Sequence, residues 1–113
     1  MTGETLGGRT LLSQNDRRDW LRLIRTERVG PITFFQLLKR FGSPAAALEA
    51  LPELAQRGGR AKLRICDRAA ADRELERLAA LGARLIGRFE PDYPEALAAV
   101  DDAPPLLAVR GRV

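Results

Sequence analysis

Residues 21–43 read LRLIRTERVGPITFFQLLKRFGS, two apolar-periodic runs joined across Val29-Gly30-Pro31. In the second run Phe34, Leu37, Leu38 and Phe41 recur at one-turn spacing, which predicts a helix with those side chains on its buried face. Pro31 belongs in its first turn, where a missing N–H costs nothing, and Gly42 can take the left-handed conformation that ends it. Upstream, the pattern predicts a helix from about Arg17 to Arg28, capped by Asn15 or Asp16. Trp20, Leu21, Leu23 and Ile24 then face inward.

Ser43-Pro44 repeats the start signal for a third helix through Leu51, with Pro52 to Arg57 as one more short turn closed by Gly58-Gly59. The basic loop GGRAKLR follows and is expected to be mobile. Asp67 opens a further helix to about Leu81 with Ala71, Leu75 and Leu78 buried, and Gly82 stops it. Beyond it the period changes. ARLIG and LLAVRG are short apolar runs of strand length, separated by a turn and short helix in PDYPEAL and by the turn DDAPP. Two strands joined through a helix suggest the opening of a parallel sheet, so the chain is expected to stop inside a second domain. Residues 1–14, with three glycines and no helical period, are expected to form a flexible leader. The fold class is therefore mainly α: a small helical bundle over 15–82, then a short α/β segment over 83–113.

Composition bounds the function. At 113 residues the chain makes one small domain, or one plus a fragment of another, which excludes a large enzyme. Hydrophobic residues at 45% and charged residues at 30% suit a soluble globule with a modest core, built largely of Ala and Leu because aromatics are only 5%. There is no His, which removes the commonest metal ligand and acid-base group, and no cofactor is expected. Cys66 stands alone and reads as a small buried hydrophobe. The N-terminus lacks an apolar signal core, and no run approaches a membrane span, so a cytoplasmic location without membrane contact is expected. Net charge is +4, but residues 1–65 hold 12 basic and 6 acidic side chains while 66–113 hold 7 and 9. The first half carries the polyanion-facing signal.

Two helices joined by a tight Gly-containing turn have the form of a helix-hairpin-helix. In that motif the second helix leaves its first N–H groups unpaired, and the helix dipole favours a phosphate there without reading any base. Gly30 permits close backbone approach, Ile32 and Thr33 offer N–H groups, and Arg28, Arg25 and Lys39 supply charge. Arg18, Arg22 and Arg25 recur at spacings of four and three and form one stripe, which is either a solvated face or a polyanion contact. The usual hairpin has a second Gly two positions before Gly30, where this chain has Arg28. The alternative reading of Gly30-Pro31 is a tight turn between packed helices. Trp20 reads as core and Tyr93 as packing its own turn, while Phe35 beside the apolar face is open. Asp101 and Asp102 suit turn formation, and the chain is not expected to be an enzyme.

The succession RLIRTERVGPITFFQLLKRFGS, ALEALPELAQRGG and LGARLIGRFEPDYPEALAAVDDAPPLLAVRG resembles the N-terminal part of the DprA family, also called Smf, the DNA-processing proteins of bacterial natural transformation. The likeness covers about residues 17–113. It implies a helical domain related to the sterile alpha motif and the helix-hairpin-helix, followed by the start of a Rossmann-like domain. It also implies a non-catalytic, DNA-associated role: single-stranded DNA handling and loading of RecA, mainly through residues downstream of this sequence. The rival reading is a protein-interaction or self-association domain of the sterile-alpha-motif type without direct DNA contact.

Overall fold

A computed structural model describes residues 5–6, 9–57 and 63–110, with side-chain surroundings for 11–57 and 63–110. Two short strands, β1 (Thr5–Leu6) and β2 (Arg9–Thr10), pair antiparallel within the segment expected to be a flexible leader. Residues 1–4 and 7–8 of that leader lie outside the described residues. Four helices follow: α1 (Gln14–Ile24), α2 (Pro31–Phe41), α3 (Pro44–Arg57) and α4 (Arg68–Ala80). Strand β3 (Ala83–Gly87), the one-turn helix α5 (Glu95–Ala98) and strand β4 (Leu106–Arg110) are the remaining elements of the described residues.

Helix α1 starts and ends earlier than the periodicity suggested. Ser13, not Asn15 or Asp16, is the cap, its Oγ accepting the Asp16 N–H at 3.0 Å. At the other end Thr26 Oγ1 donates to the Arg22 carbonyl at 2.7 Å, and Thr26 N–H turns back to Leu23 O, which closes the helix before Arg28. The faces are as expected. Trp20 and Leu23 join Phe34 of α2 and Ala47, Leu48 and Leu51 of α3 in the main core. Leu21, on another side of α1, packs with Ala71 of α4 and Leu85 of β3. Helix α1 is thus buried between two layers, and each fully buried Leu or Phe contributes about 1.5–3 kcal/mol.

Helix α3 runs through Pro52 instead of stopping at Leu51. A proline inside a helix forfeits one backbone bond, at a cost of about 3 kcal/mol. Here Pro52 itself is exposed, while Leu51 and Leu54 on either side pack against the main core and hold the helix together. Of the loop expected to be mobile, residues 58–62 lie outside the described residues, but Leu63 and Arg64 are anchored: Glu27 N–H donates to Arg64 O at 2.9 Å and Leu63 packs on the core. Helix α4 follows the expected pattern, with Asp67 Oδ1 accepting the Ala70 N–H at 2.7 Å and Gly82 left-handed at φ 72°.

The expected parallel pairing of the two strands is corrected. Strands β3 and β4 are antiparallel, in register from Ala83↔Arg110 to Gly87↔Leu106. The connection over residues 88–105 is longer than the roughly dozen residues a parallel crossover needs, so its length does not set the direction. The connection instead doubles back: Arg88 N–H donates to Pro105 O at 2.9 Å, and the Tyr93 hydroxyl, in a side chain only 1% exposed, donates to Pro104 O at 2.7 Å. Tyr93 therefore packs its turn, as read. The pair is tied to the helices through Leu85 and Leu106 and through the Glu90 carboxylate, which accepts from Leu12 N–H at 3.2 Å, Arg17 Nη2 at 2.7 Å and Gly87 N–H at 2.8 Å. Among the described residues no helix is long and apolar enough to cross a membrane.

Candidate nucleic-acid interface

Between α1 and α2 the chain reverses over residues 25–30. Thr26 is only 3% exposed and anchors the reversal, its hydroxyl donating to Arg22 O and accepting Cys66 N–H at 3.3 Å. Val29 N–H closes a turn onto Thr26 O at 3.1 Å. That turn puts Arg28 at φ 69°, the one non-glycine residue with positive φ among the described residues. The left-handed residue of the hairpin is thus the position where the motif usually carries its first Gly, and the backbone keeps that shape despite the side chain.

Gly30 is extended, at φ −100° and ψ −176°, a conformation any residue adopts, and a Cβ there would meet nothing within 4 Å. It caps α2 without a side-chain bond, Pro31 takes the first helical position, and the first intrahelical bond is Phe34 N–H to Gly30 O at 2.8 Å. The N–H groups of Ile32 and Thr33 accordingly have no acceptor among the described residues, at the end of α2 where the dipole places partial positive charge. Ile32 is 55% exposed and Thr33 half-buried. On the other side of Gly30-Pro31 a cleft of about 260 Å³ separates the corner from Pro104, Pro105 and Leu106.

The stripe arginines have protein partners: Arg18 and Arg25 face α4, and Arg22 faces the turn that leads into it. Arg25 makes a two-bond contact with Glu74 at 3.2 and 2.9 Å, and that hydrogen bond raises its pKa further above the usual guanidinium value. Arg18 lies 3.8 Å from Asp72. Arg22 Nε donates to Cys66 O at 3.0 Å, with Asp19 at 4.0 Å. Arg28 and Lys39, by contrast, are exposed and have no partner among the described residues. The fold therefore brings Arg28, Gly30, Ile32 and Thr33 together at one corner, sets Lys39 about 10 Å along α2 by helical rise, and turns Arg18 and Arg25 onto α4 and Arg22 onto the turn before it.

Two residues at this corner were missed. Exposed Arg64 is brought to the reversal by its backbone, whose carbonyl accepts the Glu27 N–H and whose N–H donates to the Glu27 carboxylate at 3.4 Å. Their separation in sequence carries no local signal of this meeting. Cys66 is half-buried, and burial, followed by the charge of Asp67, pushes its thiol pKa up, which suits the packing role read for it. Among the described residues no group of three His, Cys, Asp or Glu side chains could hold a metal ion.

Residues 14–77 match the sequence model of the DprA-like N-terminal HHH domain. A comparison with curated proteins gives no match.

Proposed function

This chain belongs to the DprA-like N-terminal HHH domain family, and on that premise we propose that it is a non-catalytic, DNA-associated module that holds a phosphate backbone at the α1–α2 corner. The observation that carries the reading is the pair of amides at Ile32 and Thr33, beside the exposed Arg28 cation, none of which has a partner among the described residues. Arg64 and Lys39 extend the positive surface. Arg18 and Arg25 act in this reading through α4 and Arg22 through the Cys66 turn, keeping α1 in place, and contribute little direct charge to DNA. In the wider protein the module serves single-stranded DNA handling and RecA loading in the cytoplasm, with residues 15–82 as the helical unit and 83–113 entering a Rossmann-like domain.

The test is the salt dependence of binding to a labelled oligonucleotide. Affinity should fall with salt, and Arg28→Gln should make the logarithmic slope shallower by about 0.7–0.9, the share of one phosphate. Arg25→Gln should leave the slope unchanged. An affinity indifferent to salt, or one lost through Arg25 and untouched through Arg28, overturns the assignment. A second reading, a self-associating domain without DNA contact, is favoured by the engagement of three stripe arginines with protein groups and by Arg28 standing where the motif has Gly. It predicts a concentration-dependent mass by light scattering, with no response of the Gly30–Thr33 amides to oligonucleotide.

A further inference from the structure

Four large apolar side chains are strongly exposed among the described residues: Ile32, Leu81, Phe89 and Val100. Only Phe89 is aromatic. It stands 44% exposed in the turn after β3, with its ring centroid 6.0 Å from Trp20 and 5.6 Å from Phe35, at interplanar angles of 85° and 64°. No ring lies parallel to it. Trp20 is itself core, so Phe89 is held from beneath by a fixed group and has little freedom left to lose on binding.

The charges around this ring are of one sign on the α2 side. The Arg88 guanidinium lies 4.8 Å from the Phe35 centroid and is kept there by donating to Ala98 O at 2.8 Å. Lys39 follows Phe35 by four residues, on the same face of α2, and α2 contains no acidic residue. Asp16 lies on the other side of Phe89, in the cleft with Leu12 and Pro44. A flat apolar step flanked by cations fits a ligand that is aromatic on its faces and anionic along its edge. An unpaired nucleotide strand has both properties, whereas a duplex hides its base faces. A second copy packed about a two-fold axis on this patch would bring a second Arg88 and a second Lys39 into the same interface, and the added like charge costs free energy.

We propose that Phe89, with Phe35 and Arg88, is a base-stacking step for single-stranded nucleic acid, and that Lys39 neutralises the adjoining phosphate. The inference rests on the DNA-contacting reading and adds to it a separate site that selects single strands. The experiment is fluorescence anisotropy of the full chain with labelled oligothymidylate, with an abasic strand of equal length, and with a duplex. Phe89→Leu keeps an apolar contact with Trp20 but removes the ring, and should weaken oligothymidylate binding about 5- to 150-fold, the value of one stacked base. Phe89→Tyr should bind as the parent does, and the abasic strand should bind the parent as weakly as oligothymidylate binds Phe89→Leu. Circular dichroism of each variant checks that the fold is kept.

If Phe89→Leu binds oligothymidylate as tightly as the parent, or the abasic strand binds equally well, the stacking step is wrong while the phosphate contact at the corner stands. If the parent binds none of the three probes, both assignments fall. A concentration-dependent mass that Phe89→Leu abolishes makes the patch an interface between copies and also overturns the proposal.

Discussion

Replacing Arg28 with Gly tests the conformation of the hairpin and its charge at once. At φ 69° a residue with a Cβ is strained by about 1–2 kcal/mol relative to the right-handed region. Glycine escapes that strain but loses more freedom on folding, which offsets about 0.5–1 kcal/mol. The Arg28 side chain has no protein partner among the described residues, so little else is lost. Arg28→Gly should therefore stabilise the chain by about 0.5–1 kcal/mol, raising the melting temperature by about 2–5 °C with an unchanged urea m-value. Arg28→Ala keeps the left-handed strain and should leave stability near the parent. Oligonucleotide affinity should move the other way, falling with a shallower salt slope, because a cation is removed. A melting temperature for Arg28→Gly at or below the parent refutes the strain argument. An affinity that rises instead would mean that close backbone approach outweighs the guanidinium.

Two further outcomes follow from buried groups. Glu90→Ala leaves the Arg17 guanidinium and the Leu12 and Gly87 amides without their shared acceptor and should cost about 3–5 kcal/mol by urea denaturation; a loss below about 1 kcal/mol would show that the α1-to-β3 tie is incidental. Tyr93 has its pKa raised by burial, so the folded chain disfavours the phenolate. Its contribution is complete below the ordinary tyrosine value of about 10 and is lost as pH rises from there through the raised folded value. Tyr93→Phe should flatten that alkaline decline, and an identical pH profile for the two proteins would contradict the burial.

The helices were legible because each carries its own punctuation: Pro31 and Gly42 bracket α2, and Asp67 and Gly82 bracket α4. Where local signals competed, the closest geometry or the core decided. Ser13 gained the α1 cap over Asn15 and Asp16 through a local bond, its oxygen reaching the Asp16 amide, whereas Pro52 failed to end α3 because Leu51 and Leu54 share one tertiary core. Strand direction depends on how the 88–105 connection folds. The bonds that double it back, Arg88 to Pro105 and Tyr93 to Pro104, join residues whose pairing no period announces.

The candidate site was legible to the extent that chain proximity builds it. Arg28, Gly30, Ile32 and Thr33 are adjacent in sequence, and the start of a helix exposes its first amides wherever it occurs. The stripe of Arg18, Arg22 and Arg25 is a different case. Helical period fixes the direction those side chains share, but not what stands opposite them, and α4 brings Asp72 and Glu74 there from about fifty residues away in sequence. This changes how the stripe should be probed. Substituting Arg22 and Arg25 with Glu would confront Glu74 with like charge and strip the Cys66 carbonyl of its donor, so lost DNA binding in that variant would report a loosened α1–α4 contact. Arg28 has no such entanglement among the described residues: its charge can be removed with the helices left packed, and only at such a position does a change in the salt slope count phosphates.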